Sequence, residues 1–175
     1  MSPIGEGWDP PRDIVGNPDF HWFKVPTRGS LVLVMLGSGP VWYTGHFTDG
    51  RMWPCAGGDC ELCKRGVGAQ LRYVVACCEP VTRKVGMIEL GRNHGLELRD
   101  WCGRAAGFSG MMVEFAKHSA ARQSRTEMTF VDQAPPPWVY QLEVPDIAKA
   151  LILTWRKAEM PVPPAVMERV RELAL

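Results

Sequence analysis

Apolar positions in this chain fall in short runs separated by Gly, Pro and polar clusters, and few stretches keep a helical spacing. Ser30 to Leu36 is rich in Leu and Val and is followed by Gly37-Ser38-Gly39-Pro40, which reads as a strand and its turn. Val41 to Phe47 reads as a second, aromatic-rich strand. Leu71 to Cys78, the turn Glu79–Arg83 and Lys84 to Leu90 read as a hairpin, with Val85 and Met87 alternating against Lys84 and Gly86. Between Asn93 and Ala106, the residues Leu96, Leu98, Trp101, Cys102 and Ala105 recur roughly at helical spacing, and Asn93 is placed to cap that helix. Met111–His118 and Thr126–Val131 read as further strands. Ala134-Pro135-Pro136-Pro137 is a break, and two helical patches follow, Pro145–Ala158 and Pro164–Leu175.

Short strands with one helix inserted late in the series predict a mainly β fold with some helix. The expected form is a five-stranded, OB-fold-like Greek-key barrel with an inserted zinc loop and a helical C-terminal tail. A zinc-ribbon module on an unrelated α+β domain is the competing architecture. The expected division is an irregular segment over 1–29, a barrel domain over 30–133, and the Pro-rich break and tail over 134–175. Within the first segment, Asp19 to Lys24 is expected to dock on the barrel.

Composition narrows the class. An apolar share of 46% in 175 residues suits a globular core, and no apolar run is long enough to span a bilayer. Met1-Ser2-Pro3 leads into polar, Gly- and Pro-rich sequence with no apolar core, so no secretory signal is expected and a cytoplasmic, reducing setting is. Charge is uneven. Residues 1–63 carry 4 basic and 7 acidic side chains, 64–125 carry 11 and 5, and 126–175 carry 5 and 7. A basic middle between acidic flanks suits a polyanion.

The chemistry concentrates in His46, Cys55, Cys60 and Cys63, spaced H-x8-C-x4-C-x2-C. One imidazole and three thiolates fill a tetrahedral zinc shell and leave no position for water, so a structural Zn2+ is expected and an enzyme is not. Clustered thiols in a reducing compartment favour metal over disulfide. A zinc deaminase would need H-x-E and P-C-x-x-C, and both are missing here. Cys77, Cys78 and Cys102 are expected in the core.

A single-strand binder needs rings for bases and cations for phosphates. Trp42, Tyr43, Phe47 and Trp53 cluster around the start of the metal loop, and Tyr73 stands beside Arg72 on the next strand. Arg51, Lys117, Arg122 and Arg125 add charge, the last three in or beside a small, polar loop between strands. Strand alternation puts Trp42 and Tyr43 on opposite faces, so one of them is core.

The His…Cys…Cys-x-x-Cys order, with Gly45-His46-Phe47 through Pro54-Cys55 to Cys63-Lys64-Arg65-Gly66 and then Leu71-Arg72-Tyr73, resembles the single-stranded DNA-binding proteins of T4-type phages and related small zinc proteins of mobile elements. The resemblance spans roughly residues 30–131. It implies an OB-fold, structural zinc on His46, Cys55, Cys60 and Cys63, and sequence-tolerant binding of single-stranded DNA, with RNA not separated from it. Two departures stand out: the ligand spacing is shorter, and the tail Glu168–Leu175 is a mixed-charge amphipathic segment, not a long acidic one. An adaptor that engages a protein partner through its C-terminal helices is the alternative function.

Overall fold

The structure is a computed structural model describing residues 21–48, 50–55, 57–104, 107–118 and 125–157. Its frame is eight strands: β1 (His21–Phe23), β2 (Ser30–Met35), β3 (Val41–Thr48), β4 (Arg51–Pro54), β5 (Ala69–Glu79), β6 (Lys84–Gly91), β7 (Met112–Lys117) and β8 (Thr126–Val131). Three helices join them: α1 (Glu61–Lys64), α2 (Arg92–Arg104) and α3 (Ile147–Lys157). The strand order is β1-β6-β5-β2-β7-β8, with β3 also on β5 and β4 on β3. Both β2 and β3 run antiparallel along one edge of β5, β2 at Cys77 and Cys78 and β3 from Ala69 to Val74. Together they form one interrupted strand with the Gly37–Pro40 turn looped out. Gly37 sits at φ 79°, a conformation that favours glycine.

The sheet is open. Among the described residues no pairing joins β8 to β6, so the expected closed barrel is replaced by a mainly β, unclosed sheet with few helices. Two elements stand beside the unclosed seam. β1 pairs in parallel along β6, where Gly86 lets His21 come so close that any Cβ would collide with its carbonyl. From the other side, α2 reaches β8: His94 donates a ring N–H to the Thr126 carbonyl (2.9 Å), and the rings of Trp101 and Phe130 lie 6.2 Å apart.

Alternation on β5 builds two cores. Val75 and Cys77 join Leu33, Met35, Ile88, Leu90, Val113, Phe115 and Leu98 of α2 on one side. Val74, Ala76 and Cys78 join Val34, Tyr43, Met87, Leu151 and Trp155 on the other. The adjacent pair Cys77-Cys78 therefore faces opposite ways, and both thiols are buried. Cys102 is half-buried against the α2-side core.

α3 covers the second face. The Asp146 carboxylate accepts the Lys149 amide N–H (2.9 Å), capping the helix start. Ala150, Leu151 and Trp155 pack into the core on this face of the sheet, and Ile152 is buried as well. Burying its three large apolar side chains is worth roughly 5–9 kcal/mol, so α3 is a fixed layer rather than a lid. One core thus draws on Trp22, on the sheet and on Val139 to Trp155, and the sequence divisions at 29 and 133 do not separate independent cores. The second helical patch, Pro164–Leu175, and residues 1–20 lie outside the described residues. Among those described, no helix is long and apolar enough to cross a membrane.

Candidate metal centre and its surroundings

The four candidate ligands of the metal loop come from three different local structures. His46 is delivered by β3, opposite Trp53 of β4 and Ala69 of β5, and is fully buried. Cys55 directly follows β4, and its amide N–H donates to the Thr44 carbonyl (2.8 Å). Cys60 and Cys63 flank the start of the single-turn α1, so both sulfurs project from one turn. Gly57 and Gly66, at φ 76° and 75°, bend the backbone into and out of it.

The four ligand atoms, His46 Nε2 and three Sγ, all lie within 4.8 Å of one another. Nε2 is 3.4 Å from Cys60 Sγ and 3.4 Å from Cys63 Sγ, and Cys55 Sγ is 3.5 Å from Cys63 Sγ. Metal–sulfur bonds of about 2.3 Å and a metal–nitrogen bond of about 2.0 Å at tetrahedral angles give edges of about 3.8 Å between sulfurs and about 3.5 Å between sulfur and nitrogen. A disulfide would need about 2.05 Å, and all six cysteines are free. The group could therefore hold a metal ion.

The surroundings fit the same purpose. His46 Nδ1 lies 2.9 Å from the Val67 carbonyl, so the proton sits on Nδ1 and the Nε2 lone pair faces the three sulfurs. The Gly57 amide donates to Cys55 Sγ (3.4 Å). Contact with Cys55, then burial and contact with Cys60, push the Cys63 thiol up to about 11. A cation held between the three sulfurs would offset the mutual repulsion of their thiolates.

The residues expected at a nucleic-acid surface are divided by the fold. Tyr43 is 3% exposed, its ring edge-on to Trp155 with centroids 5.2 Å apart, so α3 closes it off from a base. Trp42 stands opposite Tyr73 on the other face, both half-buried, and α2 lies on the Tyr73 ring at Gly95, where a Cβ would overlap it. Trp53 is half-buried against the α3-side core. Arg51 lies in β4 opposite Thr48. Lys117 ends β7, and Arg125 is exposed just before β8. Arg122 lies outside the described residues. The contact between His94 and Thr126 brings the start of α2, with exposed Arg92, to the same corner as Arg125.

Arg72 pairs in register with Tyr43, and both meet Glu89. The Tyr43 hydroxyl donates to Glu89 Oε2 (3.2 Å), and Arg72 Nε lies 3.4 Å from Oε1, an ion pair without hydrogen-bond geometry. Arg72 Nη2 donates to Gln70 Oε1 (2.9 Å). Burial raises the Glu89 carboxyl above its ordinary value of 4.5, against the opposing pull of Arg72 and Tyr43. Burial, then Glu89, also raises the Tyr43 phenol well above 10. A folded-state pKa above the unfolded one means that the native state holds this proton more tightly. Glu89's contribution is then fully present below about pH 4.5 and is lost as pH rises through the folded value. The melting temperature of the parent minus that of Glu89→Gln should fall with pH from about 4 to 7. Taking the difference cancels the metal site's own acid sensitivity, and a flat difference would refute the assignment.

Phe47, the fourth ring of the aromatic group around the metal loop, is 54% exposed. It shares strand parity with Tyr43 but lies farther along β3, on the ribbon that β3 forms with β4. Comparison with family models, with curated proteins and with solved structures gives no match.

Proposed function

We propose that this chain is a single-strand nucleic-acid-binding protein whose metal loop is held by a structural zinc ion. The observation that carries the reading is the strand order together with the places where loops leave it. Taking β2 and β3 as one interrupted strand, the order β6-β5-β2/β3-β7-β8, with α2 between β6 and β7, follows that of an OB-fold opened at one seam. In that correspondence the metal loop joins the first and second strands, and the β7–β8 connection joins the last two. These are the two loops that flank the ligand face of such folds. Zinc is the preferred ion because three thiolates and one imidazole at tetrahedral spacing suit it. Its role is shape: four protein ligands leave no position for substrate.

α3 occupies the middle of the outer face, so the strand takes the strip beyond it. By alternation and register, Phe47, Gln70 and Arg72 share that face, and the Arg92–Arg125 corner continues the cationic track. Phe47 is the stacking residue, and Arg72, braced by Glu89, is a phosphate contact. In the adaptor alternative α3 offers no free apolar side, because it turns that side onto the sheet; the second helical patch, Pro164–Leu175, lies outside the described residues.

A salt titration on oligo-dT and on a matched duplex tests the reading. Phe47→Ala should cost about 1–3 kcal/mol in single-strand affinity with the salt slope nearly unchanged. Arg92→Ala with Arg125→Ala should lower the slope of log affinity against log salt by about 1–2 units. Each variant must keep a cooperative melt. Binding that is salt-independent, or equal for single strand and duplex, would remove this function.

A further inference from the structure

The three thiols of the metal loop are not equivalent. Cys60 is 5% exposed, whereas Cys55 is half-buried and Cys63 is exposed. Cys55 and Cys63 lie side by side, Sγ to Sγ 3.5 Å. Cys55 lies between β4 and the turn at Gly57, and Cys63 lies on the one-turn α1, which Gly66 follows at a positive φ. His46 is fully buried in β3 and tied at Nδ1 to Val67. The shell therefore has a fixed inner half, His46 and Cys60, and an outer half facing solvent.

We propose that Cys63 and Cys55 are a modification site for hydrogen peroxide, Cys63 reacting first and Cys55 resolving it, with release of the metal. The inference rests on the zinc reading above. A metal-bound thiolate keeps a reactive lone pair, and accessibility decides which one an oxidant meets. The Cys63 thiolate attacks one peroxide oxygen; the S–O bond forms, the O–O bond breaks, and hydroxide leaves to be protonated to water. Cys63 is then a sulfenic acid and a poor ligand. The Cys55 thiolate attacks the Cys63 sulfur; the S–S bond forms, the S–O bond breaks, and a second hydroxide leaves as water. Two thiolates have lost two electrons to one peroxide. The sulfurs must close from 3.5 Å to about 2.05 Å. With two of four ligands gone, the ion departs.

Specificity follows from burial. Cys77 and Cys78 are fully buried in the two cores, and burial pushes both thiols up, which keeps them protonated and unreactive. Cys102 is half-buried, and Cys102→Ser removes it from the account without touching the metal loop.

The test treats the zinc-loaded full chain, in the Cys102→Ser background, with stoichiometric hydrogen peroxide. A chromogenic chelator reports zinc, and peptide mass mapping locates modified cysteines. The expected result is parallel loss of one zinc and two thiols per chain, a peptide pair joined through Cys55 and Cys63, free Cys60, and recovery with reductant plus zinc. A Cys60–Cys63 linkage, sulfinic acid at Cys63 without any linkage, or zinc retained while thiols are consumed would overturn the proposal. Protein that carries no zinc before oxidation would instead overturn the metal reading, a distinct outcome of the same experiment.

Discussion

Cys60→Ser should abolish stoichiometric zinc and lower the melting temperature by about 10 °C, while a cooperative transition survives. The size follows from linkage. A metal present at 100–1,000 times its dissociation constant stabilises the native state by about 3–4 kcal/mol. In a chain of this length each kcal/mol moves the melting temperature by about 2–4 °C. The survival follows from the fold. Neither hydrophobic core contains any of the four ligands, and the pairing of β3 with β5 does not pass through the loop. A zinc finger with no other core unfolds without its ion; here the loop between Cys55 and Val67 should lose order and the sheet should not. Amide exchange would locate the change: faster exchange at Lys64, Gly66 and Val67, whose amides close the α1 turn, and unchanged protection in β2, β5 and β7. Unaltered zinc content in the variant, or complete loss of the β-sheet circular dichroism, would sink this account.

The four residues that could hold a metal ion were legible in the sequence as a cluster because their chemistry is local. Three thiols within nine positions of each other admit few explanations, and the loop closes on His46 through a short ribbon. The strands β2, β3, β5, β6, β7 and β8 were legible for a similar reason, since each carries its own alternation or apolar run. Two strands were not. β1 is three residues long and its parallel partner lies more than sixty residues away, so nothing near His21–Phe23 reports the pairing. β4 was hidden inside the metal loop, although Asp49-Gly50 is a two-residue hairpin signal and Gly50 sits at φ 75°. The surface residues were the hardest. Alternation puts Trp42 and Tyr43 on opposite faces, but the choice between them depends on α3, which arrives about a hundred residues later and buries Tyr43. Phe47 stays exposed because it lies beyond the part of the face that α3 covers, a boundary no local pattern carries.

Trp155→Ala should be the most destabilising single change among the described residues that leaves the metal in place. Trp155 is 0% exposed and lies on the sheet face beside Leu151, with its ring 5.2 Å from Tyr43. Truncating a buried Trp costs about 3–5 kcal/mol, because the lost transfer energy is joined by the cavity left behind. By the scaling used above, that is a fall of about 6–20 °C. Part of the indole's burial is offset, since its Nε1 has no acceptor among the described residues, and an unsatisfied buried donor costs about 1–3 kcal/mol. Trp155→Phe removes that donor and keeps most of the ring, so it should cost far less than the alanine variant. The pair separates packing from polarity: a steep loss with Ala and a shallow one with Phe is expected. The functional consequence is separable as well. With Trp155 gone, Tyr43 becomes accessible while Phe47 and the Arg92–Arg125 corner are untouched, so single-strand affinity at a temperature where both proteins are folded should hold or rise. If Trp155→Ala moves the melting temperature by less than about 2 °C, α3 does not seal this face, and the strip assigned to the strand must be redrawn to include Tyr43.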